Sequence, residues 1–169
     1  GLMSRKPEGA WYYEQIDLGF NYRMTDIAAA LGLSQLSKLE SFVEQRNLIA
    51  DRYDDLLRDC SVILPSRDSG SLSAFHLYII RIESGEFPIS HEDLFEKLRQ
   101  SGVGVNLHYI PIYKHPYYQR LGFNSDLCPA AELYYKSAIS LPIFPGLTDK
   151  EQEDVVGIIK APLGYQNIF

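Results

Sequence analysis

One short segment decides the class of fold open to this sequence. From Ala74 to Ile82 the residues alternate, with His76, Tyr78, Ile80 and Ile82 on one side and Phe75, Leu77, Ile79 and Arg81 on the other. A period of two belongs to a strand whose faces meet different surroundings. The neighbouring stretches repeat at helical spacing instead. Across 39–59, Phe42, Ile49, Tyr53 and Leu56 form an apolar stripe, while Glu40, Glu44, Asp51 and Asp55 mark a wet face. Ser90 with Asp93, and Thr148 with Glu151, have the spacing of capping boxes and open helices toward Gly102 and Ile159. Pro129 starts another helix, to about Ile139, at a position that tolerates a missing N–H. Thr25 caps a slim, alanine-rich helix with Ile27, Ala30, Leu31 and Ser34 on one face. Val103 to Tyr109 reads as a second strand. The regions 1–20, 111–116 and 140–146 read as irregular, looped or turn-like. Strands this few among helices this many predict an α+β fold, a small and largely antiparallel sheet flanked by helices.

The 169 residues fit one ordinary domain or one domain with part of another. An apolar fraction of 46 % supplies a core, and a net charge of −6 with no basic stripe speaks against nucleic acid as a partner. No apolar run is long enough to cross a bilayer. Cys60 and Cys128 are too few and too far apart for a disulfide framework or a zinc motif, and they read as reduced packing residues.

Candidate chemistry is sparse. His76, His91, His108 and His115 make no metal-ligand spacing with Cys, Asp or Glu. His76 reads as structural and His91 as an exposed residue of a helix's first turn. No phosphate-binding glycine loop and no nucleophile elbow is present. A lysine that bonds covalently to a cofactor needs a desolvated pocket. Lys6, Lys38, Lys97, Lys150 and Lys160 sit at polar positions, and Lys114 lies in the tyrosine-rich loop. Two stretches remain. His108-Tyr109 ends a strand before a proline-rich loop, where ligands are often met, although an aromatic packing patch would look the same. Asn21 to Thr25 precedes a helix N-terminus, which suits an anion, although Asn21 and Thr25 would also serve as plain caps.

Longer motifs shift that balance. Gly19-Phe20-Asn21-Tyr22-Arg23-Met24-Thr25-Asp26-Ile27-Ala28-Ala29-Ala30-Leu31-Gly32 resembles the GxNYRMTDIQAALG signature of the DegT/DnrJ/EryC1/StrS sugar aminotransferases. Gln35-Leu36, Leu39, Arg46, Ala50 and Tyr53 follow the same family's next helix. Phe75-His76-Leu77-Tyr78 resembles its WHLY strand, Gly104 to Pro111 its strand leading to HY.P, and Leu141-Pro142 to Thr148 its LP.FPGLT. Trp11 to Gln15 and Asn106 to Tyr113 look most like the pseudaminic-acid branch, the UDP-4-amino-4,6-dideoxy-N-acetyl-β-L-altrosamine transaminases.

The resemblance implies the small C-terminal domain of a fold-type I pyridoxal-phosphate enzyme over 39–169. Residues 1–38 would be the trailing loop and helix of its large domain. The implied reaction moves an amino group from glutamate to C4 of a UDP-linked 4-keto-6-deoxy sugar, for surface glycans, in a cytoplasmic homodimer with no membrane or nucleic-acid partner. Asn21 matches the asparagine that reaches the cofactor phosphate in the partner subunit. Asn106, Leu107, His108 and Tyr109 match the segment lining the nucleotide-sugar site. Two positions depart from the pattern: 106 is often glutamine in relatives, and 28 is alanine where many carry glutamine. The catalytic lysine, the aspartate on the pyridine nitrogen and the ring-stacking aromatic are expected upstream of Gly1. No catalytic residue is therefore assigned, and this chain alone is expected neither to bind the cofactor tightly nor to turn over. Rival readings are a nucleotide-sugar binding module without chemistry, and a family aminotransferase or dehydratase acting on a dTDP-, GDP- or CDP-sugar.

Overall fold

The computed structural model describes residues 3–4, 11–20, 22–82, 85–124 and 127–164. The chain divides into two compact units, Gly1–Leu39 and Glu40–Phe169.

In the first unit, β1 (Met3–Ser4) and β2 (Glu14–Gln15) pair antiparallel, so a region expected to be wholly irregular carries a two-residue ladder. Helix α1 (Asp26–Leu36) begins where Thr25 is extended and its hydroxyl accepts from Ala28 N at 3.2 Å. The acidic Asp26 in the first turn faces the positive helix end. None of the residues of α1 is buried.

The second unit is built on α2 (Leu39–Leu57), which buries Ile49, Ala50, Tyr53 and Leu57 at helical spacing. Burying an aliphatic or aromatic side chain of this size contributes about 1.5–3 kcal/mol. Around α2 lie β3 (Tyr78–Arg81), α3 (His91–Gln100), a 3-10 turn (Ile112–Lys114), α4 (Pro116–Arg120), α5 (Pro129–Ser137), β4 (Ala138–Leu141) and α6 (Asp149–Lys160). Strands β3 and β4 pair antiparallel, with Tyr78 opposite Leu141 and Arg81 opposite Ala138. Single-residue bridges extend the sheet on both edges, Ile63 to Arg81 and Asn106 to Ser140.

The expected strand over 103–109 is thus reduced to Asn106. Val103 N bonds Leu98 O at the end of α3, and Val105 N bonds Val103 O, so these donors are consumed locally before a ladder can form. The helix from Pro129 stops at Ser137 rather than Ile139. Ser137 O accepts from Ile82 N at 2.9 Å, and sheet pairing takes over from that point. All four residues of β4 are buried, so the strand has no alternation to reveal it.

The alternation in β3 holds from Tyr78 to Ile82, with Tyr78, Ile80 and Ile82 buried. It fails at His76, which is exposed, while Phe75 is buried. Phe75 has a positive φ of 41° and turns the chain before the strand begins. Such a conformation costs a phenylalanine energy and needs outside support. Arg46 supplies it, donating from Nη1 to Phe75 O and to Ile143 O, both at 2.9 Å. This guanidinium ties α2 to the entry of β3 and to the segment after β4.

Other long-range polar contacts fasten the same core. Tyr53 and Tyr78 stack with centroids 4.9 Å apart, and their hydroxyls donate to Pro142 O and to the Asp54 carboxylate. Burial pushes both phenols well above the ordinary tyrosine range, and the Asp54 carboxylate adds to the effect at Tyr78. The buried Gln152 of α6 donates to Ile49 O at 2.9 Å. His91, expected to be simply exposed, is half-buried, and its Nε2 lies 2.9 Å from Ala138 O. Cys60 is buried as a packing residue, but Cys128 is exposed, at the N-cap of α5. No described helix is long and apolar enough to cross a membrane.

Candidate functional site

The residues expected to line a ligand site hang from β4. Asn106 N bonds Ser140 O at 3.3 Å and Ser140 N bonds Asn106 O at 2.8 Å. This reciprocal pair uses only main-chain groups. The Asn106 side chain turns back on its own loop, where Oδ1 accepts from Leu107 N at 2.8 Å. This contact joins adjacent residues just before the bend that follows the bridge.

Beyond the bend the side chains diverge. Leu107 is half-buried and lines a groove of about 510 Å³, together with His91 and Phe95 of α3 and Tyr135 and Lys136 of α5. His108 is half-buried on β4, its Nδ1 2.8 Å from the Ser140 hydroxyl. Tyr109 is 73 % exposed, and its ring meets that of His108 edge-on with centroids 4.6 Å apart. The His108–Tyr109 peptide bond is cis. The imidazole is therefore held on two sides, by a buried hydroxyl and by an aromatic ring. Its Nε2 has no hydrogen-bond partner among the described residues.

The loop that follows is anchored independently. Pro111 and Tyr113 are buried, and Tyr113 Oη donates to Cys128 O at 3.2 Å. Lys114 is ion-paired with Glu132 and lies 5.3 Å from the centroid of the Tyr135 ring. The Lys114 hydrogen bond holds the Glu132 carboxyl below the usual carboxylate range. Lys114 is thus a strut between the loop and α5.

The other described lysines are not enclosed in apolar surroundings either. Lys38, Lys97, Lys136 and Lys150 are exposed, and Lys160 is half-buried at the end of α6. The described residues therefore do not form a site that fits the aldehyde of pyridoxal phosphate, which needs a desolvated amine. Among them, no group of His, Cys, Asp and Glu comes together as a metal ion would require. What the segment 106–109 offers is an amide, an imidazole and a phenol on a fixed backbone. Such groups are able to donate hydrogen bonds to, or accept them from, a polar ligand. Asn21, the expected phosphate contact, lies outside the described residues. Thr25, four residues on, caps the helix that follows it.

Comparison with known proteins places this geometry in context. Residues 2–160 match the profile described as the DegT/DnrJ/EryC1/StrS aminotransferase family. The spore coat polysaccharide biosynthesis protein SpsC of Bacillus subtilis is 32 % identical over 155 residues, which cover 90 % of this chain and 40 % of SpsC. The UDP-4-amino-4,6-dideoxy-N-acetyl-beta-L-altrosamine transaminase of Campylobacter jejuni (serotype O:2) is 34 % identical over 146 residues, covering 86 % of this chain and 38 % of that enzyme. Among solved structures, Helicobacter pylori PseC, an aminotransferase of pseudaminic acid biosynthesis, superposes with a TM-score of 0.81 at 29 % identity, covering 96 % of this chain and 43 % of PseC. Spr1654 of Streptococcus pneumoniae in its PMP form gives a TM-score of 0.82 at 28 % identity, covering 95 % of this chain and 41 % of its own, and it is also known in a PLP form. The chain spans about 40 % of the length of the curated relatives it matches.

Proposed function

The chain belongs to the DegT/DnrJ/EryC1/StrS aminotransferase family, and from that premise we propose that it serves a pyridoxal-phosphate-dependent sugar aminotransferase as its small C-terminal domain, with residues 1–38 contributed to the large domain. The whole enzyme would take its amino group from glutamate and deliver it to C4 of a UDP-linked 4-keto-6-deoxy sugar, in the cytoplasm, as a homodimer making precursors of surface glycans.

The observation that carries this reading is the fixed segment on β4. Two main-chain bonds from Ser140 hold Asn106, and the chain then presents His108 and Tyr109 beside each other. Their donors suit the hydroxyl and phosphoryl oxygens of a nucleotide sugar. Leu107 faces the groove against α3 and α5 and would seat the segment. Asn21 would reach the cofactor phosphate of the partner subunit. When bound, the cofactor supplies the electron sink for moving the amino group, and the residues of this chain bind and orient the sugar.

Two measurements test the proposal. The complete coding sequence should contain the family's cofactor-binding lysine upstream of the segment matching Gly19 to Gly32. Histidine at that position would replace transamination by dehydration. The encoded enzyme, supplied with pyridoxal phosphate and glutamate, should aminate a UDP-4-keto-6-deoxy sugar in preference to dTDP-, GDP- or CDP-linked counterparts. Equal or better use of another nucleotide would overturn the substrate assignment. Saturable binding of UDP-GlcNAc by a gene product that lacks both lysine and histidine would support a binding module instead.

A further inference from the structure

Ser140 is 5 % exposed at the centre of β4, with Ile79 on one side and Asn106 on the other. Its backbone N–H and C=O are occupied by sheet bonds to Asn106. Its hydroxyl has one partner among the described residues, His108 Nδ1 at 2.8 Å. A buried hydroxyl must place its hydrogen on an acceptor, because leaving it unmade forfeits the full cost of desolvation. A carbonyl would have served, as Leu133 O serves Ser137 on the preceding helix at 2.9 Å. No such carbonyl is within reach of Ser140 among the described residues. Among the described residues its one polar partner is the ring nitrogen, which is where the hydroxyl hydrogen goes.

A neutral imidazole carries one proton, and the bond made at one nitrogen decides which atom holds it. If Nδ1 accepts from Ser140, the proton of neutral His108 sits on Nε2. The edge-on Tyr109 ring limits rotation of the imidazole away from this arrangement. We propose that Ser140 is a positioning residue that locks His108 in the Nε2–H tautomer, so that the free nitrogen of the site is a hydrogen-bond donor and not a base. The ligand atom it suits is an oxygen acceptor. This last step rests on the reading of 106–109 as a nucleotide-sugar segment, whose phosphoryl and hydroxyl oxygens are of that kind. The tautomer itself does not depend on that reading.

The direct test is nitrogen-15 NMR of the ring nitrogens of the whole chain, at a pH about two units above the ordinary imidazole value of roughly 6.5. The His108 signals are assigned by their loss in His108→Gln. The expected pattern has a protonated Nε2 and an unprotonated, hydrogen-bonded Nδ1. A protonated Nδ1 in the unmodified chain overturns the proposal whether or not any variant folds. Ser140→Ala should shift the ring toward the mixed tautomers of a free imidazole, and Ser140→Thr, which keeps a hydroxyl, should restore the lock. An unchanged pattern in Ser140→Ala overturns it as well.

The ligand step has its own readout in the complete enzyme. There, Ser140→Ala should raise KM for the nucleotide sugar about fivefold, the order expected for one misdirected hydrogen bond, and leave KM for glutamate unchanged. An equal rise in both would mark a general structural defect and overturn the assignment. A locked tautomer in a gene product without aminotransferase activity would confirm the role of Ser140 and count against the functional reading alone.

Discussion

Helices α1 and α6 begin with the same device and end in different circumstances. Each has a threonine N-cap whose hydroxyl accepts from the N3 backbone, Thr25 from Ala28 and Thr148 from Glu151. In α6 the box is closed, because Glu151 reaches back to Thr148 N at 2.8 Å. Ala28 has no such group. The larger contrast is in burial. Helix α6 places Gln152, Val155, Val156 and Ile159 in a core, whereas Ile27, Leu31, Leu33 and Leu36 of α1 are between 63 % and 84 % exposed. Local signals start both helices, but tertiary packing supplies most of a helix's stability in a protein. Helix α1 has the first, and among the described residues none of its side chains is buried.

The strongest way to sharpen the contrast is to change the exposed side. Exposed apolar residues of this density favour association, so the chain should elute larger in size-exclusion chromatography as its concentration rises. The double variant Ile27→Lys, Leu31→Lys should return it toward a monomer. Equal, concentration-independent elution of both forms would break the argument. Next in size is cavity formation. Leu98→Ala, in the core beside α6, should cost about 2–5 kcal/mol in urea unfolding, whereas Leu31→Ala should stay within about 0.5 kcal/mol. Arg46→Met should cost about 1–3 kcal/mol, because it strands the carbonyls of Phe75 and Ile143. Thr148→Ala should cost about 1 kcal/mol, and Thr25→Ala should leave the cooperative transition where it was.

The smallest effect is a pH dependence. Hydrogen bonds from the Thr148 backbone and hydroxyl hold the Glu151 carboxyl below the usual carboxylate range. A depressed folded value means stability that is fully present above the unfolded value of about 4.3 and is lost as pH falls through the folded one. The gap in urea midpoint between the native chain and Glu151→Gln should therefore close below about pH 4. A gap that persists there would exclude the charge as its source.

What the sequence made legible follows the range of the interaction. The caps at Thr25, Ser90 and Thr148 act over three residues, and all three are found where their spacing placed them. The apolar stripe of α2 was equally plain, because one face of a helix records its surroundings. Contacts across long separations left no such record. His91 reads as an exposed helix residue until Ala138 O, forty-seven positions away, is seen beside it. Strand β4 is buried on both faces, so its four residues carry no period. At the site, the sequence marked His108 and Tyr109 but passed over Ser140. The available signal was a lone hydroxyl in the apolar run from Ala138 to Leu141, since a serine buried there must find a partner.

The reciprocal bonds between Asn106 and Ser140 have an evolutionary consequence. They run from main chain to main chain, so the mooring is indifferent to which side chain stands at position 106. Asparagine or glutamine can occupy that place without breaking those two bonds, and exchange of the side chains that follow would leave them intact as well. A scaffold of this kind can change the side chains it presents by drifting in a handful of positions while its register on the sheet is inherited unchanged.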